Sequence, residues 1–378
     1  MSLFARTRAA LAFAVLSTTV GAHVARAQEW TEKFSFHGSL NQGYGKSDGL
    51  GVFGINKDGT TDYRAVALQF GYKFDSNDRV VVQLLNRGVG ASPLKDIMPE
   101  LSPVWAFYEK KIGGYTVKVG RNPLPRGIFN EVRFVGTLLP LFREALYGET
   151  LENIDGIVVT KSFELGQGFG IDANAVAGEF DVKYTLPSAT GVTVGSLRMG
   201  NSVGTQLWLR LPVKGLRVGT FLDRYQGKPF LQHSQTQKVK MFSVDGDFTH
   251  FFARAEYQKF YSGKGKTATD YHAAYAQAGV NVTDKVTLVT EYNTASNLLH
   301  FTPTIPDVML NLNKDVTGGI TYAPSANVKF KFEGHRADGY SFDTAVPTII
   351  PPTSAPFVMR AAPRSKAYYG ILSLAVSF

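Results

Sequence analysis

The chain has 378 residues, a formal net charge of +9 at pH 7, 44% hydrophobic residues and no cysteine. The absence of cysteine excludes a disulfide-stapled fold, so a core or a closed hydrogen-bonded ladder must hold the chain together. With 38 glycines, 17 tyrosines, 27 phenylalanines and little helical patterning, the composition points to an all-β chain.

Residues 1–27 read as a secretory signal peptide: Arg6 and Arg8 precede the apolar run from Leu11 to Leu16, and Ala25-Arg26-Ala27 forms the cleavage site. The mature chain, 28–378, then forms a single domain, with no linker or composition shift to divide it. It stays basic after losing Arg6, Arg8 and Arg26. No later stretch reaches the roughly 18 apolar residues of a membrane-crossing helix.

Alternation of apolar and polar side chains recurs along the mature chain. Val66, Leu68, Phe70, Tyr72 and Phe74 alternate with Ala67, Gln69, Gly71 and Lys73; Val328, Phe330 and Phe332 alternate with Lys329, Lys331 and Glu333. A strand puts alternate residues on opposite faces. The pattern predicts sixteen strands, at about 34–44, 62–74, 78–87, 103–112, 114–120, 154–164, 168–178, 203–211, 215–225, 238–247, 250–261, 271–282, 285–295, 315–323, 327–337 and 367–378. Short turns rich in Gly, Asn, Asp and Pro follow the even-numbered strands. Long connections follow the odd ones, at 45–61, 88–102, 121–153, 179–202, 226–237, 262–270, 296–314 and 338–366.

Short turns at one end and long loops at the other are the layout of a transmembrane antiparallel β-barrel. The last strand fits: its even positions, Tyr368 to Phe378, are mostly greasy, and its odd positions, Tyr369 to Ser377, are mostly small or polar. In lipid no strand edge can stay unpaired, so the first strand must close on this one. Sixteen strands enclose an aqueous lumen. Charges placed inward by parity include Lys73, Arg79, Arg87, Lys118, Arg210, Arg217, Arg254, Lys329 and Lys331, against Asp172, Asp223, Glu256, Glu291 and Glu333. The basic excess predicts a preference for anions.

In layout, in the terminal Phe378 and in Val117-Lys118-Val119-Gly120-Arg121 leading into a long third loop, the chain resembles the general porins of Gram-negative outer membranes. That resemblance implies passive diffusion of small hydrophilic solutes, a homotrimer, and hand-over to the barrel-assembly machinery through the strand ending at Phe378. It also implies a third loop, here 121–153, folded inward as the pore constriction. The loop's own composition suits that position. Leu138, Leu139, Leu141, Phe142, Leu146 and Tyr147 need a wall to pack on. Pro123 and Pro125 favour an extended path, and Pro140 to Tyr147 suit a short helix. Arg121, Arg126, Glu131, Arg133, Arg143 and Glu144 are its candidate constriction residues. Where the family sets an acidic loop against a basic wall, this loop is mixed or arginine-rich. On this reading, Arg126→Ala plus Arg133→Ala weakens the anion preference.

Nothing points to catalysis or a cofactor. The histidines from His37 to His335 show no metal-ligand spacing, there is no Gly-x-Ser-x-Gly motif, and the basic residues form no cluster for nucleic acid. Lys228, Lys264 and Lys266 offer a second use for the basic excess, at lipopolysaccharide phosphates on the outer rim. Two other readings share the barrel: a substrate-selective channel for phosphate, a sugar or an organic acid, and a barrel that mounts a surface adhesin or receptor.

Overall fold

The computed structural model of the chain describes residues 33–142, 145–147, 151–188, 191–227, 236–262, 269–299, 307–339 and 365–378; the leader read from residues 1–27 lies outside them. The strands are β1 (Phe34–Ser47), β2 (Thr60–Lys73), β3 (Asp78–Val89), β4 (Leu101–Ile112), β5 (Tyr115–Pro123), β6 (Asn153–Gly166), β7 (Phe169–Ser188) and β8 (Gly191–Arg210), then β9 (Leu216–Gly227), β10 (Thr236–Asp247), β11 (Phe251–Ser262), β12 (Thr269–Thr283), β13 (Val286–Leu299), β14 (Val308–Ser325), β15 (Val328–Gly339) and β16 (Ser365–Ser377). Each pairs antiparallel with its sequence neighbours, and β1 closes on β16 into a barrel. The seam runs to the last residue: Phe378 and Gly38 exchange both backbone hydrogen bonds, at 2.9 and 3.0 Å.

The faces are inverted relative to a soluble sheet. On β15 Phe332 is 59% exposed while its neighbour Glu333 is 1% exposed. On β16 Tyr368 and Leu372 are exposed, while Tyr369, Ile371, Ser373 and Ala375 are buried. Phe34, Phe36, Tyr72, Val280, Leu288, Ile320 and Phe330 continue the greasy exterior round the barrel. An outward apolar band over a polar interior is the surface of a membrane-embedded barrel.

All sixteen predicted strands are present, and β7 and β8 run much further than alternation shows. The expected long connection 179–202 is mostly paired strand, continuing from Phe180↔Met199 to Ser188↔Gly191. A bulge between Gly178 and Phe180 shifts the register, and an inserted residue breaks the period of two on which the reading depends. β14 likewise begins at Val308 rather than near 315, beyond a register shift at Ala295/Ser296. Pro103 sits beside the β3–β4 irregularity, where proline does little harm to a ladder.

Candidate functional site

The third loop proper is 124–152, because β5 continues to Pro123 and β6 starts at Asn153. Its hydrogen bonds end on inward-facing side chains all round the barrel. Gln206 of β8 donates to Gly127 O at 3.2 Å, and Glu256 of β11 accepts from Ile128 N at 3.0 Å. Thr321 of β14 donates to Pro140 O at 3.0 Å, and Lys331 of β15 donates to both Gly136 O (2.8 Å) and Leu141 O (2.7 Å). Asn41 of β1 donates to Phe142 O at 2.9 Å, and Glu333 accepts from Phe142 N. A segment that reaches β1, β8, β11, β14 and β15 on their inner faces runs through the lumen. Among the loop's described residues, helix is limited to a 3₁₀ turn at Ala145–Tyr147.

Apolar packing fixes the path between those anchors. Leu124, Phe129, Leu139, Tyr147 and Leu151 join a buried cluster with Ile154, Phe180, Phe221, Met241 and Tyr275 of the wall. Burying each large side chain contributes roughly 1.5–3 kcal/mol. Gly127 lets the loop come close to β11. Its φ is +62°, and a Cβ there would lie 2.1 Å from Tyr147 Oη and 2.5 Å from Glu256 Oε1. Glu256 in turn accepts from Tyr147 Oη, Tyr275 Oη and Ser243 Oγ.

Arg126 and Arg133 of the loop are packed against its own groups. Arg126 is 1% exposed, over the Tyr147 ring at 5.1 Å. Arg133 bonds Asn130 Oδ1 (3.1 Å) and the Tyr147 carbonyl, and lies 3.5 Å from Glu152. Arg87 of β3 meets the same carboxylate at 2.7 Å. Burial alone would push the Glu152 carboxyl up, but Arg87 and Arg133 outweigh it and hold it well below the usual carboxylate range.

Arg121 corrects the sequence reading. It stands on β5, three residues from the inward-facing Lys118, and so turns to the outer face. There it meets Asp155 at 2.6 Å, and Asp155 meets Arg198 at 2.9 Å. Arg198 also reaches Glu179 and Asp181. The expectation ended the strand at Gly120, which freed Arg121 from parity. Arg143 and Glu144 lie outside the described residues, as do Lys228, Lys264 and Lys266. Glu131 has an exposed side chain, yet the surrounding protein raises its carboxyl by desolvation against the attraction of Lys118 and Arg217.

On the wall, every basic residue placed inward by parity does face inward, but most are neutralised. Arg79 pairs with Glu109 (2.8 Å), Arg210 with Glu164 (2.6 Å) and Asp172 (3.1 Å), and Arg217 with Asp245 (2.9 Å). Arg254 pairs with Asp245 and Asp247, both at 2.8 Å. Lys331 is spent on loop carbonyls. Among the described residues, Lys73, Lys111, Lys118 and Lys329 make no ion pair. The first three line a 630 Å³ cavity at the short-turn end of the barrel, against the turn at Asp75–Asn77. Lys111 was not singled out from the sequence; it follows Lys110 at a strand end, where parity is weakest.

A closed sixteen-stranded membrane barrel with a loop held in its lumen defines the porin class of folds. No protein-family model and no curated protein sequence matches the chain. Among solved structures, the in-vitro folded trimer form of OmpT, an outer membrane protein of Vibrio cholerae, is 12% identical; the match covers 91% of this chain and 99% of that one, with a TM-score of 0.54. The outer membrane channel DcaP of Acinetobacter baumannii is 10% identical over 91% and 97%, with a TM-score of 0.56. OmpF of Salmonella typhi, in complex with daunomycin, is 11% identical over 91% and 97%, with a TM-score of 0.54. At these identities the likeness is one of fold.

Proposed function

We propose that the chain is a porin of the bacterial outer membrane, giving passive diffusion of small hydrophilic solutes with a preference for anions and catalysing no reaction. The observation that carries the anion preference is the set of lumen lysines without carboxylate partners: Lys73, Lys111, Lys118 and Lys329. Every inward arginine named above on the wall meets a carboxylate, whereas these four supply unpaired positive charge along a narrow lumen with low-dielectric walls. Glu131 supplies the opposing charge on the loop.

The fold likeness to DcaP and OmpF supports the channel reading, and the trimer form of OmpT supports a homotrimer. Phe378, bonded at the seam, is the feature offered to the assembly machinery. Planar-bilayer recording tests the function. A porin gives stepwise conductance that is linear with voltage. A barrel that only mounts an adhesin or receptor gives none, and a substrate-selective channel is blocked at low concentration by its solute.

A further inference from the structure

The cavity on the short-turn side of loop 3 has the construction of an anion site. Its inner wall carries two adjacent cross-strand rows. One runs Lys73↔Arg79↔Glu109↔Lys118 across β2 to β5. The next runs Lys111↔Thr116↔Thr160 across β4 to β6. Directly opposed side chains on neighbouring strands stand about 5 Å apart at Cβ, and inward residues two apart on a strand are also neighbours. Lys111, Thr116 and Lys118 therefore converge on one patch, with the Thr160 hydroxyl on its far side.

The acids bordering the cavity are committed elsewhere. Glu109 is held by Arg79 through both carboxylate oxygens at 2.8 Å. Asp78 takes Tyr108 Oη at 2.7 Å and Lys110 at 3.2 Å. Asp75 caps the turn, accepting from Asn77 N (2.6 Å) and Asp78 N (2.9 Å). Among the described residues, the ammonium groups of Lys73, Lys111 and Lys118 make no hydrogen bond or ion pair, and Glu131 of the loop acts on Lys118 only through longer-range attraction.

We propose that this patch binds a multiply charged oxyanion of phosphate type, held by Lys111 and Lys118 and oriented by the Thr116 hydroxyl, with Lys73 adding long-range attraction. Two ammonium donors and a hydroxyl in a solvated cavity suit a tetrahedral dianion better than chloride, because several charge-assisted bonds act on one ligand. The inference rests on the anion-channel reading and narrows it to a solute class. It also makes the site sided: it lies on the short-turn face of loop 3.

The test uses the full mature chain and inorganic phosphate as the probe. In planar bilayers, phosphate added from the short-turn side reduces chloride current at lower concentration than from the loop side. Lys111→Gln plus Lys118→Gln raises the half-blocking concentration about a hundredfold, roughly tenfold for each charge-assisted hydrogen bond removed. Lys111→Arg plus Lys118→Arg keeps the block. Phosphorus NMR line broadening on detergent-solubilised protein reads the same binding without conductance, and unchanged heat-modifiable gel mobility establishes that each variant folds. Equal block from both sides, or a folded glutamine variant that binds phosphate as wild type does, overturns the proposal. Anion preference without phosphate block overturns it while leaving the channel reading intact; loss of anion preference in wild type removes both.

Discussion

Glu256 on β11 accepts the backbone N–H of Ile128 at 3.0 Å, although 128 residues separate the two in the chain. The same carboxylate accepts from the hydroxyls of Tyr147, Tyr275 and Ser243. It forms one anchor of the third loop, and Lys331 with Glu333 forms the other on β15. Held at both anchors, the loop is fixed against the inner wall. Glu256→Leu leaves several buried donors unsatisfied and costs on the order of 3 kcal/mol. A lower midpoint for the heat-induced gel-mobility shift and a noisier open-channel current are the expected outcomes. A quiet channel with wild-type current would contradict the anchoring.

Gly127 makes that contact possible. An alanine there must adopt a positive φ, and its Cβ would meet Tyr147 Oη and Glu256 Oε1. Gly127→Ala is expected to cost roughly 1 kcal/mol in backbone strain and more by displacing the loop from β11. Protease accessibility of the loop in detergent-solubilised protein reports it: cleavage within 124–152 rises in the variant and stays low in wild type.

The Glu152 carboxyl is held below its ordinary value of 4.5 by Arg87 and Arg133 acting against burial. A carboxyl whose folded pKa is depressed stabilises the fold fully above its unfolded pKa and loses that contribution as pH falls through the folded value. The contribution of Glu152 to loop docking is therefore constant above about pH 5 and weakens progressively below about pH 4. Glu152→Gln should flatten the acid limb of the thermal-stability profile. A variant with the wild-type acid limb would assign acid sensitivity to another group.

Arg126 is buried on the Tyr147 ring, and Arg133 is held by Asn130, the Tyr147 carbonyl and Glu152. Arg126→Ala plus Arg133→Ala should lower thermal stability markedly and leave the reversal potential in a salt gradient close to wild type. A large shift toward cations with unchanged stability would return the charge filter to the loop.

Much of the architecture was legible because one physical rule repeats: inward and outward residues alternate, and a charge on the lipid face is costly. That rule located all sixteen strands and put Lys118, Arg217, Arg254, Lys329 and Lys331 on the inner wall. It failed where a bulge shifts the phase, as at Gly178, and where a strand outlasts its pattern, as at Arg121. Which inward charges remain free was not legible. That depends on cross-strand partners such as Asp245 for Arg217, and on loop carbonyls for Lys331, which register and tertiary path decide. Arg126 read as a pore residue because composition cannot separate a guanidinium in water from one lying on the Tyr147 ring.

The central claim is that anion preference comes from the free lysines of the lumen wall. The most direct measurement is the reversal potential in a potassium chloride gradient, for wild type and for Lys73→Gln, Lys111→Gln and Lys118→Gln combined. The account predicts anion preference in wild type and a shift to near neutrality or to cations in the triple variant. A cation-preferring wild type, or a folded triple variant with the wild-type potential, would contradict it.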